Sequence, residues 1–307
     1  MQHHIYTSVF DRGLKSVIIC LLMLFFAHKG NAQVSSPGSV YFLNPFAINP
    51  AMSGVEEDLK VTLSYRQQAS SIGSGTNTQY VTADYGYSER VGLGIAVFRQ
   101  EMGILEGTRF MANYSYHLPL SDHENLSFGL SFGAVDETIN VDEIIGDPGD
   151  QLVADFNDTG IQLDGDFGVS YTMNKLNIQV SALHLGSLVY DNGENMITTI
   201  RQPAVFVAAG YKFLLKEGVN AIGLTPRALY RKVREYEEIV DIGAQINFLD
   251  EKLSFFTMYH TSKSATFGVG VEIRDLVVFN SMFTTQSTEY DGDAGSTFEF
   301  ALQLRLD

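Results

Sequence analysis

The feature that most constrains this chain is an alternation of apolar residues with polar or small ones, repeated along most of its length. In the clearest segment, the last, the residues of the two alternating sets are Phe298, Phe300, Leu302, Leu304 and Leu306 on one side and Thr297, Glu299, Ala301, Gln303 and Arg305 on the other. Successive side chains of a β-strand point to opposite faces, so each segment has one apolar face and one polar or small face. The pattern therefore predicts β-strands.

About fourteen such segments follow one another, most of them about ten residues long, which suits strands that cross an outer membrane. They start near residues 58, 76, 90, 105, 124, 159, 175, 203, 218, 236, 252, 265, 275 and 295. After the N-terminal region, no window is apolar for long enough to predict a membrane-spanning helix. We therefore predict an all-β fold: a transmembrane antiparallel β-barrel of about 14 strands over residues 58–307.

The connections between these segments are expected to differ in length on the two sides of the membrane. One set is short throughout, at residues 87–90, 117–125, 173–175, 214–218, 249–252 and 274–275. The other set contains the two longest connections, near 135–158 and 185–202. Outer-membrane barrels have short periplasmic turns and longer extracellular loops, so this asymmetry supports a barrel.

A soluble β-sandwich, or two small barrels, is the alternative fold, because sandwich strands also alternate. The polar face of a sandwich would carry many charges, whereas here that face is rich in Gly, Ser and Ala. Small residues suit the crowded lumen of a barrel. No linker rich in Pro, Ser or Gly divides the chain.

The N-terminus has the pattern of a secretory signal peptide. Basic residues precede an apolar run at 16–27. Small residues occupy the positions three residues and one residue before Gln33, as a signal-peptidase site requires. We predict a signal peptide over residues 1–32, and hence export to the outer membrane. A lipoprotein anchored at Cys20 is the alternative, but the residue before this cysteine is not small and most of the apolar run follows it.

Net charge limits the partners of the chain. Its 36 acidic and 20 basic residues give a formal charge of −16, and no cluster of Lys and Arg is present, so we expect no nucleic-acid partner. The connection 136–166 is acidic and contains no basic residue; its acidic side chains include Asp142, Glu143, Asp147, Asp150, Asp155 and Asp158. A solvated loop is the favoured interpretation, and calcium binding stays open because the EF-hand spacing is absent.

No motif for catalysis, metal or cofactor binding is found. His117, His123, His184 and His260 show no zinc-binding spacing, and no Gly-x-Ser-x-Gly elbow occurs. We therefore expect no enzyme activity, no metal and no cofactor. A Ser–His pair formed across strands, as in an outer-membrane hydrolase, is the alternative.

The segment 33–57 is unlike the rest of the chain. It is apolar and contains two Asn-Pro steps five residues apart, at Asn44 and Asn49. Proline and its preceding residue oppose a regular helix and favour turns or extended backbone. An apolar, turn-rich segment before the first strand predicts a plug in the barrel, or a cap at its periplasmic mouth. A loosely packed leader is the alternative.

This segment resembles the start of the mature chain in the PorP/SprF family, where a tyrosine precedes paired Asn-Pro steps. The matching residues are Tyr41, Asn44, Pro45, Ile48, Asn49, Pro50, Ala51 and Gly54. The family's first strand ends in Tyr-Arg-Gln-Gln, which matches Tyr65, Arg66, Gln67 and Gln68. A Val-Gly-Leu-Gly strand follows at 91–94, and the resemblance covers essentially the whole predicted mature chain.

The resemblance implies an outer-membrane barrel that serves type IX secretion and gliding motility, without enzyme activity. Some members belong to the core machinery and contact periplasmic peptidoglycan-associated components. Others assist the export or surface anchoring of large adhesins, and we expect this second role here. The expected partners are outer-membrane lipid and a secreted adhesin or other type IX substrate. The motif residues are expected in the plug or at a partner contact. A channel for a small substrate is the alternative function.

Overall fold

The computed structural model describes residues 39–69, 75–144, 151–190, 201–218, 220–234, 236–285 and 295–306. The predicted signal peptide and Cys20 lie outside these residues. Within them, no helix has the length and apolar character needed to cross a membrane.

The described residues form fifteen strands: β1 (Leu59–Gln68), β2 (Thr76–Ser88), β3 (Val91–Met102), β4 (Leu105–Ser121), β5 (Glu124–Ile139), β6 (Gln162–Met173), β7 (Leu176–Leu183), β8 (Ala204–Tyr211), β9 (Phe213–Lys216), β10 (Ile222–Val233), β11 (Ile239–Phe248), β12 (Leu253–His260), β13 (Ser264–Ile273), β14 (Val277–Thr284) and β15 (Thr297–Leu306). They also form three short helices, α1 (Val40–Leu43), α2 (Gln151–Asn157) and α3 (Ser187–Tyr190). Three 3-10 turns cover Pro45–Ala47, Pro50–Met52 and Val141–Glu143.

All strand pairs are antiparallel and, except at β8 and β9, join strands that are neighbours in sequence; the sheet closes because β1 pairs with both β2 and β15. The short strand β9 continues β8 along β10, in the same register as far as Gly223 and with a register shift at Ile222, so the closed wall contains fourteen strands, as predicted. The interruption lies opposite Pro226, which has no N–H for the ladder.

The strands begin within a few residues of the predicted positions, and the connections fall into the two predicted sets. We call one end of the barrel the short-turn end, where residues 89–90, 122–123, 174–175, 217–221, 249–252 and 274–276 connect the strands. The opposite end, which carries the connections 140–161 and 184–203, is the long-loop end.

One predicted connection, 117–125, is wrong in extent. Strand β4 runs on to Ser121, and the actual turn is residues 122–123. His117 continues the ladder, paired with Ser127 of β5, and the proline at 119 is accommodated beside a register shift.

The distribution of side chains across the wall is the inverse of that in a soluble protein. Large apolar side chains are exposed on the outer face, whereas Ser, Thr, Asn, Asp and Arg side chains are buried inside. In β15 the exposed and buried residues follow the predicted alternation. Tyrosines such as Tyr87 and Tyr114 lie on the outer face toward the short-turn end, and Tyr65 and Tyr259 toward the long-loop end. An apolar belt with aromatic residues at both edges is typical of outer-membrane barrels.

Candidate functional site

The two Asn-Pro steps shape the segment before β1. Pro45 and Pro50 each begin a 3-10 turn, the position where the fixed φ of proline is favourable and its missing N–H costs nothing. The Asn49 side chain caps the second turn by accepting a hydrogen bond from the Ala51 N–H at 3.0 Å. The sequence therefore folds locally into two tight turns, preceded by α1.

The structure places residues 39–54 against the inner face of the barrel wall. Ile48 is 1 % exposed, and Ala51 and Ser53 are 0 % exposed. Asn44 Nδ2 donates to Thr82 Oγ1 of β2 at 2.7 Å, and the Gly54 N–H donates to the Asp84 carboxylate at 3.0 Å. These are buried hydrogen bonds, so the segment is anchored rather than loosely packed.

Glycines on the inner face make room for the segment. A Cβ atom on Gly129 of β5 would lie 2.2 Å from the backbone of Pro50 and Ala51, and one on Gly92 would lie 2.2 Å from the Ser53 carbonyl oxygen. On Gly168 of β6 it would lie 2.0 Å from Oδ1 of Asn49. The small-residue face recognised in the sequence is thus the surface on which this segment lies.

An aromatic cluster anchors the beginning of the segment. The Phe42 ring contacts that of Phe256 edge to face, with centroids 6.5 Å apart. The Arg227 guanidinium lies 5.1 Å from the Phe42 ring centroid and 5.6 Å from that of Tyr41, a favourable cation–π geometry. Burial raises the pKa of Tyr41, and the nearby Arg227 charge opposes this rise.

A polar cavity of about 390 Å³ lies between the segment and the short-turn end. We call it the vestibule; its lining includes Lys60, Lys175, Lys212, Gln245, Gln303 and Arg305 from the wall and Tyr41, Phe42 and Met52 from the segment. Three of its cations are paired, Lys60 with Glu56, Lys212 with Glu251 and Arg305 with Glu272.

Buried ion pairs lie in the lumen on the other side of the segment, toward the long-loop end. Arg109 contacts Asp164 and Asp166, each at 2.6 Å. Arg201 pairs with Glu137 at 2.9 Å, and a separate pair joins β10 to β11. Sequence reasoning missed these pairs. Their only signal was the presence of charged residues on the polar face of predicted strands, which does not reveal the partners.

One of these ion pairs lies in a cluster of side chains that could supply ligands to a metal ion. Ligand atoms of Asp164, Asp166 and His184 lie within 4.8 Å of one another. The Arg109 guanidinium already binds both carboxylates, which therefore have a charge partner without a metal ion. In the acidic connection, Asp147 and Asp150 lie outside the described residues, so the interpretation of 136–166 as a solvated loop, with calcium binding as its alternative, is not tested.

A Ser–His contact across strands does occur, but it is enclosed. His117 Nδ1 lies 2.9 Å from Ser127 Oγ, and its Nε2 lies 3.1 Å from the Ser53 carbonyl oxygen. His117 and Ser127 are buried, and the segment covers the histidine. This geometry positions the segment and leaves no nucleophile accessible to a substrate at this place.

The strand part of the sequence motif is divided between the two faces of the wall. Tyr65 and Gln67 are exposed on the outer face, whereas Arg66 and Gln68 belong to the inward set of β1. Arg66 lies opposite the buried Glu299 of β15. The four residues therefore do not form one contact surface, and their role toward a partner stays a prediction.

Residues 31–304 match the family described as "Type IX secretion system membrane protein PorP/SprF". No curated protein sequence matches the chain significantly. Similar solved structures include the outer membrane protein Omp33 of Acinetobacter baumannii (11 % identity, TM-score 0.48, 83 % of this chain and 100 % of that chain covered). They also include the CymD monoaromatic hydrocarbon channel (9 % identity, TM-score 0.49, 90 % and 94 % covered) and the KdgM porin (10 % identity, TM-score 0.41, 81 % and 99 % covered).

Proposed function

Because the chain belongs to the PorP/SprF family of type IX secretion system membrane proteins, we propose that it is an outer-membrane barrel that binds a secreted partner. In this role it assists the export of that partner, or anchors it at the cell surface. A large adhesin is the proposed partner, in support of gliding motility. Periplasmic peptidoglycan-associated components are a second class of proposed partner.

The observation that carries this proposal is the occupied lumen. Residues 39–54 lie against the inner wall, and buried ion pairs lie in the lumen beyond them. A general porin needs a continuous water-filled channel. We propose that the segment is a plug, so that the barrel acts by binding rather than by free diffusion.

The test is deletion of the gene in its own organism, followed by mass spectrometry of proteins shaved from the cell surface. We expect one large secreted protein to disappear from the surface while other type IX substrates remain. Loss of all type IX substrates would instead assign the chain to the core machinery. An unchanged set of surface proteins would contradict both roles.

The vestibule favours one alternative, a channel for a small substrate. Its volume of about 390 Å³ and polar lining would accept a small solute from the short-turn end. Under this alternative, the purified protein would show solute-dependent current in planar bilayers, and the gene deletion would alter the passage of that solute across the outer membrane without changing the surface proteins.

A further inference from the structure

Many of the hydrogen bonds between the inner wall and the N-terminal segment are made with the backbone of the segment. Five carbonyl oxygens of the segment, those of Phe42, Ala47, Ile48, Pro50 and Ser53, accept hydrogen bonds from wall side chains. The donors, in the same order, are Arg227, Tyr80, Ser181, Asn113 and Ser115, which belong to β10, β2, β7, β4 and β4. Four strands spaced along the wall between β2 and β10 therefore present donors to one peptide.

These contacts depend little on the side chains of the segment. Any residue supplies a carbonyl acceptor, and two of the wall glycines, Gly92 and Gly129, meet backbone atoms of the segment. The requirements that remain are the two turns, which Pro45 and Pro50 preorganise, side chains that fit the aromatic cluster, and asparagines at positions 44 and 49, whose side chains donate hydrogen bonds to the wall. Such a surface recognises a peptide conformation, in the manner of a peptide-binding groove.

The resident segment also has a route by which it could be exchanged. It joins β1 through Val55, Glu56 and Glu57, all of which are exposed. The vestibule borders Tyr41, Phe42 and Met52 of the segment and leads to the short-turn end. A peptide that enters from this end would meet the segment without crossing the buried ion pairs.

We propose that the inner wall is a peptide-binding site, that residues 39–54 are its resident ligand, and that a second peptide with two proline-initiated turns can replace them through the vestibule. This inference rests on the proposed function as a partner-binding barrel and deepens it, because it assigns the site and the ligand class. The covalent tether gives the resident segment a high effective concentration, so it acts as a competitor that an incoming peptide must displace.

The test uses the full chain, folded in lipid nanodiscs, with a specific protease site in place of residues 55–58. Cutting this site removes the tether but leaves the resident segment in the sample. The probe is a fluorescein-labelled synthetic peptide with the sequence of residues 39–54, and its binding is measured by fluorescence anisotropy. We expect saturable binding to the cut barrel and binding at least tenfold weaker to the uncut barrel.

A matched pair of serine variants tests the site itself. Ser181 and Ser170 are 2 % and 3 % exposed and face inward on neighbouring strands, but only Ser181 donates to the segment, at the Ile48 carbonyl. Loss of one neutral hydrogen bond should weaken probe binding about fivefold in Ser181→Ala. Ser170→Ala should bind the probe as the parent does, and a scrambled peptide of the same composition should not compete.

The proposal fails if a cut barrel that remains heat-modifiable binds no probe, or if the scrambled peptide binds equally well. It also fails if Ser181→Ala and Ser170→Ala respond alike. If cutting reduces the heat-modifiable fraction, the same titration is made on the uncut chain carrying Asn49→Ala and Ser53→Ala, which weaken the resident segment. Because the probe assay needs no secreted partner, its failure is distinguishable from an unchanged surface proteome in the gene deletion.

Discussion

Leu302 and Gln303 are neighbours in β15 that face opposite sides of the barrel wall. Leu302 lies on the outer face between Leu63 and Phe279, whereas Gln303 lines the vestibule. Leu302→Arg should reduce stability by about 2–4 kcal/mol, because the guanidinium would meet hydrocarbon near the middle of the strand. Gln303→Arg should be tolerated, because water and polar neighbours solvate the new charge. The measurement is unfolding of the barrel in lipid vesicles.

Steric crowding is controlled by Gln303→Lys, which introduces the same charge on a more flexible chain. An equal loss of stability for Leu302→Arg and Gln303→Arg would show that the register of this strand is wrong.

Two inward-facing glycines provide a second residue-scale prediction. A Cβ atom on Gly129 would lie 2.2 Å from the segment backbone, whereas one on Gly223 would meet its nearest atom at 3.8 Å. Gly129→Ala should cost about 1–3 kcal/mol through overpacking and should loosen the segment. Gly223→Ala should leave the segment unchanged. Protease cleavage near Val55 measures the difference, and equal cleavage rates in the two variants would contradict the contact at Gly129.

At this scale, the sequence predicts the facing of a residue better than its partner. Alternation assigns Gln303 to the inside because the strand period is two. The pairing of Arg109 with Asp164 is not predictable in this way, since 55 residues separate them and the closure of the barrel brings them together. The same holds for the contact of Asn49 with Gln179, 130 residues away.

At the scale of elements, strands were predictable because each carries its own period-two pattern and its own turn. The interruption between β8 and β9 was not predictable from those two segments, because it lies beside a proline on the neighbouring strand β10. The N-terminal segment was predicted to be buried from its apolar composition. Its position on the wall depends on glycines spread over β3, β5 and β6, which no local pattern connects.

At this scale, the N-terminal segment is expected to control the conductance of the barrel. If residues 39–54 block the lumen, the full-length protein should conduct poorly in planar lipid bilayers. Deletion of residues 33–57 should raise the single-channel conductance, because the aromatic cluster and both turns would be removed from the wall. The measurement compares single-channel recordings of the two purified proteins at one salt concentration.

Heat-modifiable migration on gels must be checked for the deletion variant, since a misfolded barrel would also fail to conduct. A large and stable conductance of the full-length protein, unchanged by the deletion, would remove the proposed plug.

At the scale of the whole molecule, the closed sheet and apolar belt predict behaviour that no single element determines. A barrel without free edges resists detergent until it is heated, so the protein should migrate faster on gels before boiling than after. It should also sediment with outer membranes. Recovery of the protein in the soluble periplasmic fraction would contradict an outer-membrane location.

The arrangement of vestibule, segment and ion pairs predicts that the lumen is accessible from one side only. The chain has one cysteine, Cys20, in the predicted signal peptide. Any maleimide labelling of the mature protein would therefore come from the engineered cysteine. We choose Val141→Cys at the long-loop end, Gln303→Cys in the vestibule and Thr266→Cys in the filled part of the lumen. The reagent is a polyethylene-glycol maleimide too large to pass through other porins.

In intact cells only Val141→Cys should react, because its side chain is 41 % exposed at the end that carries the extracellular loops. Breaking the cells exposes the short-turn end, and Gln303→Cys, which is 9 % exposed but lines the vestibule, should then react, more slowly than Val141→Cys. Thr266→Cys, with its side chain 2 % exposed beyond the segment, should react only after heat denaturation. Reaction of Gln303→Cys in intact cells would mean that an open path crosses the barrel, and the occluded lumen on which the binding role depends would be excluded.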